Sequence, residues 1–221
     1  MGVPSFSHFF QTLIDSYDIF IQAALKTLQI TAVSIFIAVF IGLFFALFKI
    51  SKISILEWIA NFYIFIVRGT PLIVQIFIFY FGLSELQISM FWSATLGLAF
   101  HNGAYIAEIF RGSIQSINKG QMEAGQSLGM SKVLAMRRII LPQAFRRALP
   151  PLGNQFIIGL KDSSLAAFIG IYEIFNAATT QGANNFDSMT WLLICAVYYL
   201  ILVFILTYLV SILEKKMAAS D

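Results

Sequence analysis

Residues 27–48 read TLQITAVSIFIAVFIGLFFALF, and no charged residue interrupts them. A bilayer core about 30 Å thick takes roughly 20 apolar residues of helix to cross. The stretch therefore predicts a transmembrane helix. Four more stretches of this kind follow: 58–83, interrupted only by Arg68; 86–107, with His101 and Asn102; 149–172, with Lys161 and Asp162; and 189–213, uncharged. Unpaired backbone is very costly in lipid, so each span is expected to be helical. The predicted fold class is an all-α integral membrane protein, with five transmembrane helices in a single domain over 1–221.

Composition agrees. Of 221 residues, 59% are hydrophobic and 11% are charged, where a soluble domain carries roughly 25% charged residues. Mean hydropathy is +0.83. These values exclude a cytosolic globular enzyme, a disordered chain and a secreted disulfide scaffold. Cys195 is the sole cysteine, and His8 and His101 are the sole histidines. A disulfide within the chain is ruled out, and neither a metal site nor another resident cofactor is expected.

The cations are distributed unevenly. Lys49, Lys52, Arg111, Lys119, Lys132, Arg137, Arg138, Arg146, Arg147, Lys215 and Lys216 fall on one side of the five-span scheme. Lys26 alone falls on the other side, with Asp15, Asp18, Glu85 and Asp187, while Arg68 and Lys161 lie within spans. The positive-inside rule then predicts an N-terminus outside and a C-terminus in the cytoplasm. An even number of spans would spoil this asymmetry. Because the cations report topology, they imply no nucleic-acid partner.

Residues 1–18 contain no Lys or Arg, so no cleavable signal is expected. Met1-Gly2 lacks the Ser or Thr at position six that myristoylation requires. Phe6, Phe9, Phe10, Leu13, Ile14 and Tyr17 recur at helical spacing. Two readings fit 1–18: a helix lying in the membrane interface, or a turn packed against the bundle. The outer connection 176–188 reads as a polar, flexible loop.

The long basic connection, 111–148, contains NKGQMEAGQSLGMS at 118–131. A short helix is predicted over 121–128, ended by Gly129 in the left-handed region. Ser131 is expected to cap a second helix that runs to Leu141, where Pro142 interrupts it. A helix–turn–helix without a nucleophile, a histidine pair or a carboxylate pair is a docking element.

Glu123, Ala124, Gly129, Ile139, Leu141 and Pro142 resemble the E-A-A-x-x-x-G-x(9)-I-x-L-P motif of permease subunits of bacterial ABC importers. Gly125 stands at the second Ala. Arg68-Gly69-Thr70-Pro71 resembles the R-G-T-P signature of the polar amino-acid subfamily. Asn102 to Glu108, Leu149 to Gln155 and Lys161-Asp162-Ser163-Ser164-Leu165 are similar to the same group. The resemblance implies a permease fold in the bacterial inner membrane. It further implies a separate ATPase subunit, a second permease subunit (the same chain or a close paralogue) and an extracytoplasmic solute-binding protein. Glu123, Ala124, Gly125 and Gly129 would form the surface coupled to the ATPase. No G-x-x-x-x-G-K-[ST] phosphate loop occurs, so ATP would be bound by the partner.

Arg68 and Lys161 are expected about 15 and 18 Å deep at 1.5 Å per residue. A charge facing lipid there costs at least a few kcal/mol. They must face the bundle interior, a partner or a watery cavity, or pair with Asp162, Glu108 or Glu173. Asn102 and Gln155 are neutral donors and acceptors suited to a zwitterion. Thr70 adds a hydroxyl, and Tyr105 follows Asn102 on one helix face. The substrate-site residues expected are thus Thr70, Asn102, Tyr105, Gln155, Arg68, Lys161 and Asp162. Basic amino-acid members of the family often carry Glu at the position of Gln155. Gln there favours a neutral substrate, glutamine first and cystine second. His101 reads as a packing residue, and Phe77, Phe79, Tyr80 and Phe81 as packing or lipid-facing residues. The alternative is an ion-coupled secondary transporter acting as a dimer, with Arg68, Lys161 and Asp162 as its coupling centre.

Overall fold

A computed structural model describes residues 4–218. The Met1-Gly2 expectation lies outside them. No strand occurs among the described residues. In chain order the helices are α1 (Phe6–Asp15), α2 (Tyr17–Ile50), α3 (Ser54–Gly69), α4 (Leu72–Phe77), α5 (Met90–Gln115), α6 (Lys119–Ser127), α7 (Lys132–Ala135), α8 (Leu141–Asp162), α9 (Ile174–Asn184) and α10 (Ser188–Ala218).

Helix α2 is built inside out relative to a soluble helix. Most of its buried positions are small or hydroxyl residues, Ala23, Thr27, Thr31, Ser34, Ala38, Gly42 and Ala46, joined by Phe20, Ile30 and Ile35, whereas Phe36, Phe40, Phe44 and Leu47 are exposed. Seven of the ten buried positions are thus small or hydroxyl residues, and many of the large apolar ones face outward, as expected where lipid is the solvent. Thr27 and Thr31 donate to the carbonyls of Ala23 and Thr27 at 3.0 and 2.8 Å, so their burial leaves no donor unpaired. Helix α5 is the axis of the fold, packed on α2, α4 and α8. A Cβ on its Gly103 would lie 2.8 Å from both Ile41 and Tyr63, so only glycine permits this approach of α5 to α2 and α3.

Two helices, α2 and α10, are long and apolar enough to cross a membrane alone, and a third counts if the bent pair α3–α4 is one span. The expected second span is therefore not one straight helix: α3 and α4 meet at 105°. Thr70 and Pro71 are extended, and Pro71 has no N–H to continue the ladder. The expected fourth span also differs. Helix α8 begins at Leu141 and ends at Asp162, and a 3-10 segment, Ser163–Ile169, closes on Gly170 at φ 87°.

Two local expectations are corrected. Pro142 does not interrupt the hairpin's second helix. A π-helical turn, Met136–Ile140, joins α7 to α8. Its wider winding makes room for a ring that would clash with the preceding turn of an α-helix. The 176–188 connection is helical to Asn184, because Glu173 caps α9 and Ile174, Ala177 and Ala178 bury one face. The N-terminal helix packs on the bundle along one side only. Phe9 and Leu13 of α1 pack on the core around Phe20 and Trp191, while Phe6, Phe10, Ile14 and Tyr17 stay exposed. His8 Nε2 lies 2.9 Å from Asp187 and ties α1 to the start of α10.

Candidate translocation site and coupling hairpin

The break between α3 and α4 is held by a residue the sequence reading passed over. Gln75 is buried, and its Nε2 donates to Val67 O at 2.8 Å, Thr70 Oγ1 at 3.0 Å and Thr70 O at 3.2 Å. Thr70 in turn donates to Ile66 O at 2.9 Å. The available signal was a lone amide in an apolar run, five residues after Thr70. Arg68 projects from this break and lies over the Tyr105 ring, 4.9 Å from its centroid. Among the described residues it makes no ion pair. A guanidinium on a ring face is attracted by the ring quadrupole and keeps its charge available.

Asn102 is fully buried on α5. Its Nδ2 donates to Leu98 O at 2.8 Å, and its Oδ1 accepts from Gln155 Nε2 of α8 at 2.7 Å. Tyr105, one turn later, is half-buried and faces Arg68. The expected substrate residues thus form two groups along α5: Asn102 with Gln155, and Tyr105 with Arg68 beside Thr70. Lys161 stands apart, lining an open cavity of about 390 Å³ with Ser164, Phe175, Cys195 and Tyr199. Asp162 is half-buried, and neither it nor Lys161 is ion-paired among the described residues.

The other acids are engaged elsewhere. Glu108 takes Lys49 and Arg111, with Arg111 Nε at 2.8 Å. It lies just past the apolar run that ends at Ala107. Burial raises its carboxyl, but the two cations more than reverse this and hold it below the ordinary Glu value. Glu173 is fully buried, accepting from the Phe175 and Asn176 amides at 2.9 and 2.7 Å and from Tyr199 Oη at 2.8 Å. His101 is half-buried beside Tyr105, with ring centroids 5.2 Å apart. Phe77 and Tyr80 pack on the α4–α5 core, Phe79 meets Phe100, and Phe81 is exposed.

At the Lys-rich end, α6, α7 and the π turn form a hairpin. Asn118 caps α6 by accepting from Gly120 N. Gly129, at φ 83°, ends it: its N–H donates to Gln126 O and that of Met130 to Gly125 O. This paired arrangement satisfies the helix's last carbonyls and requires a left-handed residue. Ser131 Oγ accepts from Leu134 N and starts α7. Glu123 and Ala124 face outward. Gly125 faces inward, where a Cβ would come within 2.9 Å of Ile139 and 3.2 Å of Ala135.

The described residues form a helical body with polar groups along a central helix. Residues 9–219 match the family described as binding-protein-dependent transport system inner membrane component, and the chain belongs to that family. It is 43% identical to a probable amino-acid ABC transporter permease protein, YckA of Bacillus subtilis, over 93% of this chain and 92% of that relative. It is 43% identical to the glutamine transport system permease protein GlnP of Escherichia coli, over 72% and 77%. To the L-cystine transport system permease protein TcyB of B. subtilis it is 38% identical, over 86% and 83%. The crystal structure of an amino acid ABC transporter with histidines superposes with a TM-score of 0.88 at 35% identity, covering 98% of this chain and all of that one. The chain is thus a polar amino-acid ABC importer permease of the membrane. These matches do not favour an ion-coupled secondary transporter.

Proposed function

We propose that this chain imports a neutral polar amino acid, glutamine before cystine, by alternating access driven by a separate ATPase subunit. The observation that carries the substrate class is the uncharged Asn102–Gln155 pair buried on the central helix. Two amides can exchange their mutual hydrogen bond for bonds to an α-amino and an α-carboxylate group without exposing a buried charge. GlnP and TcyB, named for glutamine and cystine transport, are among the relatives of this chain. Arg68 and Thr70 at the α3–α4 break supply a cation, a hydroxyl and nearby backbone for the carboxylate end, with Tyr105 holding Arg68 in place. Lys161 and Asp162 serve a second part of the path.

The hairpin at the Lys-rich end transmits ATPase closure. Glu123 and Ala124 form its outward surface, and Gly125 and Gly129 fix the shape that presents them. Five crossings, with the N-terminus outside and the hairpin and C-terminus in the cytoplasm, fit the distribution of Lys and Arg. The unpaired, exposed Arg68 is supported best by a neighbour across a shared path, so the chain works beside a second copy or a close paralogue. A solute-binding protein delivers substrate from outside.

The test is uptake into proteoliposomes holding this chain with the ATPase and binding protein of its own cell. Labelled glutamine is offered with and without internal ATP, then competed with cystine and arginine. ATP-dependent uptake competed by neutral amino acids is expected. Uptake indifferent to ATP and set by an ion gradient would overturn the reading.

A further inference from the structure

Beneath the hairpin lies a cavity of about 660 Å³, between the α2–α3 turn, the end of α5 and the start of α6. Its floor is apolar, made by Ile114, Ile117, Ile140 and Met136. Its rim carries Lys49, Lys52, Lys119 and Glu57. Lys49 is taken by Glu108. Lys52 and Lys119 are exposed and make no ion pair among the described residues.

Both lysines stand against local preference. Lys52 has φ 61°, a left-handed backbone that a long L side chain rarely adopts. Lys119 is the first residue of α6, where the helix dipole disfavours a cation. Sequences depart from local rules chiefly at functional sites, and here two such departures line one cavity.

The cavity's depth is marked independently. Trp58 and Phe62 stack 5.3 Å apart on the exposed face of α3, one residue and about one turn beyond Glu57. Ile53 and Ile55 beside them are also exposed. Aromatic residues of this kind collect at the headgroup level of a bilayer. The cavity therefore opens at the boundary of one leaflet, with two lysines, unpaired among the described residues, and one carboxylate, Glu57, above an apolar floor. A soluble anion would use the cations and leave the floor unmatched. A lipid uses both.

We propose that this cavity is a binding site for an anionic phospholipid, its phosphate between Lys52 and Lys119 and its glycerol and upper acyl region on the isoleucine floor. Each lysine near such a surface adds a favourable contribution. The occupied site would lock the α2–α3 turn to the base of the coupling hairpin. The inference needs the chain only to lie in a membrane, so it stands apart from the choice of substrate.

The test is native mass spectrometry of the full chain, extracted in mild detergent and offered phosphatidylglycerol or phosphatidylcholine. Retention of phosphatidylglycerol is expected to exceed that of phosphatidylcholine roughly tenfold. The double variant Lys52→Asn, Lys119→Gln should abolish this preference. Lys215→Gln with Lys216→Gln, at the same end but away from the cavity, should keep it. Lys52→Asn alone, a residue that tolerates the left-handed backbone, should weaken it should the double variant elute misfolded. Equal retention of the two lipids overturns the proposal. So does a double variant that binds like the control, or displacement of the lipid by inorganic phosphate. None of these readouts depends on whether the importer transports glutamine.

Discussion

Gln155 donates from Nε2 to Oδ1 of Asn102 across 2.7 Å, tying α8 to the central helix inside the bundle. The bond couples the two helices and at the same time holds the two amides that are the proposed substrate ligands. Replacing Asn102 with Leu leaves a buried donor unpaired, at a cost of about 1–3 kcal/mol. A lower thermal midpoint in detergent checks this. Gln155→Glu sets a carboxylate against Asn102 Oδ1, so Asn102 must turn its amide and lose its bond to Leu98. Uptake of a neutral amino acid should fall and competition by arginine should rise. An unchanged substrate range would remove Gln155 from the site.

Gln75→Leu keeps the volume of the side chain but removes all three hydrogen bonds that close the α3–α4 break. The buried Val67 carbonyl loses its side-chain donor, and Thr70 keeps only its own bond to Ile66 O. Uptake should fall several-fold while the protein still inserts, because the break rather than the bundle loses its support. A variant with normal uptake would show that the geometry at Thr70 is dispensable.

Glu123 is exposed on α6, and its side chain makes no hydrogen bond or ion pair among the described residues, while its carbonyl accepts from Ser127 Oγ. Glu123→Lys should leave the stability of the isolated chain within about 0.5 kcal/mol of the parent, as surface changes do. Uptake by the assembled importer should be lost. Gly129→Ala, by contrast, strains the hairpin by about 1 kcal/mol at φ 83°, and Gly129→Asn should be the milder change. Cleavage in the hairpin under limited proteolysis would rank the two.

Glu108 holds two cations, Lys49 and Arg111, with its side chain 22% exposed. Its carboxyl is lowered in the fold, so its contribution is complete above the unfolded value, about 4.3, and is lost as pH falls through the lowered one. Thermal stability of the parent should exceed that of Glu108→Gln between pH 6 and 8, by on the order of 1 kcal/mol after solvent screening. The gap should close below about pH 4. A gap independent of pH would mean that packing, not charge, separates the two proteins.

Much of this architecture was legible in the sequence. The run at 27–48 defined the membrane class because lipid tolerates little but apolar residues over such a length. Gly129 and Ser131 marked the hairpin because helix ends need particular backbone and side-chain groups. Asn102, Gln155 and Arg68 stood out because polar groups are rare at those depths. Periodicity did not reveal the 105° break, the π turn that lets Pro142 sit within a continuous helix, or α9. Each depends on contacts that periodicity does not register: Gln75 folding back on nearby Thr70 and Val67, Ile139 and Ala135 closing on Gly125, and Tyr199 reaching Glu173.

The chain's class, its helical nature and its sided charge were determined by the sequence itself, since these follow from transfer energies that each residue carries with it. The tertiary structure alone decided which polar residues meet. Asn102 found Gln155, Arg68 found a ring instead of an acid, and Glu108 rather than Glu173 took the cations. Spacing along a helix sets only the face a side chain occupies. Its partner is set by how the helices cross, and that depends on small residues such as Gly103 letting α5 approach its neighbours.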